Sequence, residues 1–281
     1  MMRASSLLAV LALVGGCEVT GLSRLSFLLR AGGLDRPAAG PLSWVTRAGW
    51  DVRLEEARVA VGPFYFNVAP PLQGLARSAG PAQVLARLLL PAAHADAGQE
   101  HTAGGRIVAQ VTHRIVLDVL SPTLVTVGRG DGISELVRTA ELWLLPDDRA
   151  GISGVLPRRS VAYVLGEASR AGEVVAFAAY VVLQESAVPG QPLERLRTVR
   201  RIPAELPLSD GGTVELRVDP RPWLDQADFS DLLGYPVEDG RRVARPEDSV
   251  GRALSHGVRL AQGVYEFRWR PPGDAGEPPP N

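Results

Sequence analysis

The chain has 281 residues, 46% of them hydrophobic, and sets 30 basic side chains against 31 acidic ones for a formal charge of −1. That balance gives no reason to expect nucleic acid or another polyanion as partner. A single cysteine, Cys17, rules out any disulfide within the chain, so the fold must be held by its core.

The N-terminus carries one basic residue, Arg3, followed by an apolar run over residues 7–14. The run fits the core of a secretory signal peptide and is too short to span a bilayer. Val14, Gly15, Gly16 and Cys17 follow, and this stretch resembles the lipobox of bacterial lipoproteins: apolar, small, small, then the invariant thiol. The resemblance implies cleavage of residues 1–16, a diacylglyceryl thioether on Cys17, and an acylated new amine. The partner so implied is a membrane, engaged through covalent lipid in place of a spanning helix. Glu18 stands where many inner-membrane lipoproteins have Asp, so the outer membrane is the expected destination. All the basic residues are arginine, which with the abundant Ala, Gly and Pro points to a GC-rich genome.

Residues 17–42 read as a tether, punctuated by Gly21, Gly32, Gly33, Pro37, Gly40 and Pro41, with a short amphipathic turn or two over 22–30. Beyond it the dominant period is two. Trp50, Val52 and Leu54 share one face. The apolar phase then flips to Ala57, Val59 and Val61, so a β-bulge or a break is expected at Glu55-Glu56. A long strand is expected over 107–119, carrying His113 on its apolar face. Further strands fall at 139–145, 161–168 and 174–183, the last two joined by a hairpin connection at 169–173. The cleanest alternation is at 213–219, and Tyr265, Phe267 and Trp269 share a face of a terminal strand. Helices are expected only at 81–90, 223–233 and 249–260, the last with Ser249 as N-cap and an apolar stripe of Val250, Ala253, Leu254 and Val258. Residues 271–281 form a proline-rich tail with no apolar face, expected to be disordered.

The resulting expectation is a mainly β protein: an antiparallel β-sandwich or partly closed barrel with a few short helices, in a single domain spanning 43–270. The stretches 50–66, 223–229 and 265–269 resemble envelope lipoproteins of GC-rich bacteria to which no activity is attached.

Signals for catalysis are weak. Gly151-Ile-Ser-Gly154 lacks the spacing of a nucleophile elbow, and neither a phosphate loop nor a dinucleotide fingerprint is found. Gly128-Arg-Gly-Asp-Gly132 reads as a polar turn. The acidic run from Asp219 to Asp231 suits calcium in its oxygens but not in its spacing. Asp225 and Asp228 therefore read as carboxylates at a helix start. His256 reads as solvated on the polar side of its helix. Coordination chemistry is concentrated in one stretch, where His94, Asp96, Glu100 and His101 are ligand types for a divalent transition metal such as zinc or copper, with His113 close by in sequence. The plainer reading of those residues is a polar loop and a core histidine. The leading expectation is a membrane-anchored, non-catalytic binding or structural module of the cell envelope, with an envelope protein as partner. The alternative is a periplasmic metal-binding or metal-delivery protein.

Overall fold

The computed structural model describes residues 23–37, 40–69, 106–146, 160–183 and 197–273. The expected class holds: the protein is mainly β. In chain order the strands are β1 (Arg24–Gly33), β2 (Leu42–Val45), β3 (Asp51–Val61), β4 (Phe64–Asn67), β5 (Ile107–Val111), β6 (Ile115–Asp118) and β7 (Val125–Ile133). They continue with β8 (Leu136–Trp143), β9 (Ser160–Arg170), β10 (Glu173–Val182), β11 (Thr198–Pro207), β12 (Thr213–Val218), β13 (Arg242–Val243) and β14 (Tyr265–Arg270). Two short helices, α1 (Arg221–Leu224) and α2 (Ser249–Gly257), and a 3-10 turn at Ser230–Gly234 complete the described elements.

Eight strands form one curled sheet in the order β11-β8-β4-β5-β7-β1-β12-β14. Its last strand comes back against its first, β14 beside β11, so the sheet is a nearly closed barrel. A second sheet runs β13-β10-β9-β3-β2, with β6 also paired to β3. The two sheets share a chain, since β3 leaves the second sheet at Gly62-Pro63 and enters the barrel as β4. Neighbours are antiparallel except β1 with β12 and β10 with β13, which lie parallel.

The barrel is filled by the inward phase of each strand. Phe27, Phe66 and Phe267 come from three different strands and meet edge to face with centroids 5.7 Å apart, the favoured arrangement of ring quadrupoles. Around them Leu25, Leu29, Val111, Leu142, Val214 and Leu216 are buried.

Three expectations need correction. First, the proposed tether contains β1, a central barrel strand with Leu25, Phe27, Leu29 and Ala31 buried in strict alternation. It is anchored by pairing on both sides, with β7 and with β12. Second, Gly128–Gly132 is not a turn but the interior of β7. Its glycines make room for neighbouring strands: a Cβ on Gly130 would sit 2.4 Å from Phe27 Cζ, and one on Gly132 2.5 Å from Ala109 Cβ. Arg129 and Asp131 simply occupy the exposed phase. Third, the long strand at 107–119 is two strands with a break at 112–114, where the chain passes from the barrel to the second sheet. The carbonyl of His113 lies so close to Gly62 that a Cβ there would be 2.3 Å away.

The bulge at Glu55-Glu56 is present as a register shift between Leu54 and Glu56 against β9. The hairpin at 169–173 is present too, turning on Ala171 and Gly172, both with positive φ as such a two-residue turn demands. Of the expected helices, that at 81–90 lies outside the described residues, as do 1–22 and 274–281. The one at 223–233 resolves into α1 and the 3-10 turn. The third is α2, and its stripe of Val250, Ala253, Leu254 and Val258 is buried as expected. Its N-cap is Asp248, however, and the Ser249 hydroxyl instead accepts the Asp228 N–H at 2.9 Å. α2 packs on α1 through Gly257, where a Cβ would fall 2.3 Å from Trp223 Cα.

One buried carboxyl has a measurable consequence. Glu141 on β8 is 2% exposed, and its Oε2 has no hydrogen-bond partner among the described residues; Arg200 Nε stands 3.7 Å away. Burial raises its pKa, with Arg200 opposing. Because the folded value lies above the unfolded one, the native state loses stability as pH rises through the unfolded value and up to the folded one. Glu141→Gln removes that penalty. It should match the parent near about pH 4 and be the more stable protein near about pH 7.5. Urea midpoints at the two pH values check this, and a loss at the higher pH would mean that the Arg200 contact outweighs burial.

Candidate functional site

β1 and β12 run parallel and end side by side, Gly33 opposite Val218, and a cleft opens at that end of the barrel. Its construction begins with the sequence Asp219-Pro220-Arg221-Pro222. Two prolines fix φ and suit the start of a helix, while Asp219 accepts the Arg221 backbone N–H at 2.9 Å. The same carboxylate grips the Arg221 guanidinium through Nε at 3.0 Å to both oxygens and through Nη2 at 2.7 Å. A side chain held by a fork of this kind has a fixed direction, and the Asp219 bonds keep the guanidinium firmly charged.

This Asp219–Arg221 pair divides the cleft into two lobes that share it and Gln262. The first lobe, about 700 Å³, lies between α1, α2 and the β2–β3 turn. Pro222, Ala253 and Leu260 give it apolar walls, and Arg47, Asp225, Gln226 and His256 line its mouth. Arg47 reaches across from the turn, its Nε 2.6 Å from Asp225 Oδ2 and its N–H donating to the Asp225 carbonyl at 2.9 Å. The second lobe, about 460 Å³, is bordered by Leu34, Pro203, Arg217, Val264 and Glu266. Arg217 Nη1 is held by the Gly33 carbonyl at 3.1 Å and also by that of Pro122. Tyr265 forms part of this wall, and its hydroxyl donates to the Val258 carbonyl at 2.6 Å. Burial pushes the phenol pKa upward, so it remains a neutral donor. Each acid along the cleft has a guanidinium partner: Asp219 has Arg221, Asp225 has Arg47 and Glu266 has Arg268.

The acidic run therefore acts differently from its expected role. Asp225 follows α1 as its C-cap, and the residue that braces the helix start is Asp219. Asp228 accepts from the Ser230 hydroxyl at 2.7 Å and from Trp50 Nε1 at 2.9 Å, bonds that hold its carboxyl below the usual range. His256 is exposed, as expected, but it lies in the cleft mouth.

Of the expected metal ligands, His94, Asp96, Glu100 and His101 lie outside the described residues. His113 is exposed beyond the C-terminal end of β5, its ring packed over Gly128, where a Cβ would come within 2.5 Å of its Nδ1. It is neither on a strand nor in the core. Among the described residues no three His, Cys, Asp or Glu side chains are grouped to hold a metal ion. Sequence reasoning missed Arg47, Asp219, Arg221 and Gln262 as neighbours; the spacing Asp-Pro-Arg-Pro after a clean strand was the one local signal.

No family model and no curated protein matches the chain. Among solved structures it is similar to MbnP from Methylosinus trichosporium, at 10% identity and a TM-score of 0.40, over 83% of this chain and 86% of that one.

Proposed function

We propose that the chain is a lipoprotein of the bacterial envelope, held on a membrane through Cys17, whose β domain binds a polypeptide segment of a partner protein in the two-lobed cleft. The observation that carries this reading is the alternation of guanidinium and carboxylate groups along an open, apolar-walled groove. An extended peptide presents amides, carbonyls and side chains of both signs, and a surface of paired opposite charges meets them without a large field of either sign. The same pairing leaves each carboxylate of the cleft engaged by a guanidinium, an arrangement suited to recognition of a polar ligand.

The reading is tested with a photo-crosslinking residue placed at Gln262 in living cells and, as control, at Asp239, exposed in the turn before β13. A discrete adduct is expected from position 262, falling about tenfold when Arg221→Ala frees Asp219 and removes the ridge. No adduct at 262, or the same adduct from 239, contradicts the assignment.

A further inference from the structure

We propose that the barrel end opposite the cleft rests on the bilayer surface, so that the lipid on Cys17 presents the cleft away from the membrane. This rests on the lipid-anchor reading, and the topology supplies the direction. β1 starts at Arg24 and ends at Gly33, beside the cleft. Only residues 18–23 separate Cys17 from Arg24. A fully extended link of that length reaches about 25 Å at most, while β1 itself carries the chain about 30 Å toward the cleft. The anchor is therefore on a short leash at one end of the barrel.

The residues at that end suit a membrane surface. Ile107 and Leu136 open β5 and β8 at that end, Ile107 paired with Asn67 and Leu136 with Pro207. Both are left uncovered, Ile107 at 38% and Leu136 at 42% exposure. This end of the barrel thus shows two large aliphatic groups to the outside. Arg24 and Arg138 are exposed beside them and carry no ion pair among the described residues. Of the acids at this end, Glu135 pairs with Arg106 and Asp210 accepts the Ser26 N–H at 2.8 Å, while Asp131 and Glu205 are exposed. Exposed aliphatic side chains with guanidinium groups beside them suit the interfacial region of a bilayer.

The test uses the full lipidated chain in vesicles of phosphatidylethanolamine and phosphatidylglycerol. Cys17 is the only cysteine, and its thioether cannot react, so Leu136→Cys and Gln262→Cys each accept one thiol-directed fluorophore. Nitroxide on the lipid headgroups should quench most of the emission at 136 and leave 262 unchanged. Quenching at 262 equal to or greater than that at 136, or none at either site, overturns the orientation while the protein still floats with the vesicles. If the parent protein itself takes the label at Cys17 and fails to float, the anchor reading fails, and the orientation falls with it.

Discussion

Truncating Trp50 to alanine is expected to cost about 3–5 kcal/mol of folding stability, the range for removing a large aromatic side chain from a close-packed site. Trp50 is fully buried. It stands just before β3 and joins three parts of the molecule. The Arg170 guanidinium, from the end of β9, lies 4.4 Å from its ring centroid. Phe229 meets it edge-on at 5.6 Å, and Phe229 in turn packs on Phe177 of β10 at 4.7 Å. Its Nε1 donates to Asp228, which also takes the Ser230 N–H and hydroxyl. Arg170 Nη2 donates to the Ser230 hydroxyl at 2.8 Å, so stacking and hydrogen bonding close into one network. Trp50→Phe keeps most of the buried area and deletes one donor to an acceptor that retains two others. It should cost about 1–2 kcal/mol. Urea unfolding of the three proteins gives the ranking. A cost under about 1 kcal/mol for Trp50→Ala would show that the second sheet holds its helices without this network.

The architecture was legible wherever one sheet face is buried and the other solvated. β12 and β14 alternate cleanly because their outward residues are Glu215, Arg217, Glu266 and Arg268, and the Glu55-Glu56 slip appears as a phase change because both sides of it are long. β1 hid for the opposite reason. Its outward phase includes Leu28, 39% exposed, so the polar alternation is blurred, and its closing glycines look like loop punctuation. Those glycines serve close approach: a Cβ on Gly33 would fall 2.0 Å from the Val119 carbonyl oxygen. β7 hid in the same way, its three glycines suppressing strand propensity while making room for Phe27 and Ala109. β11 carries Pro203 and two register shifts, features tolerated at the margin of a sheet but foreign to a regular pattern.

The cleft had no comparable signature. Its groups come from the β2–β3 turn, the end of β12, α1, α2 and the approach to β14, and only the parallel pairing of β1 with β12 brings those segments to one place. Parallel pairing joins strands distant in sequence, here Leu28 with Thr213, and no local spacing announces it. The metal-ligand types were conspicuous in sequence because they were close neighbours there. Proximity along a chain fixes no coordination geometry without rigid support.

The lipid is expected to have the largest effect of all on where the protein is found. Each buried methylene contributes about 0.8 kcal/mol, and one acyl chain alone gives only marginal binding, whereas two or more hold a protein on a bilayer stably. Among the described residues no helix is long and apolar enough to cross a membrane. On the proposed reading, stable attachment rests on the lipid at Cys17, with the exposed barrel end adding orientation. The most direct measurement is mass spectrometry of the mature N-terminal peptide, read together with fractionation of the parent and of Cys17→Ala. The account predicts a chain that begins at Cys17 and carries diacylglyceryl and an N-acyl group, and a Cys17→Ala protein lost from the membrane fraction. A free thiol at Cys17, or a variant that stays with the membrane, would contradict it.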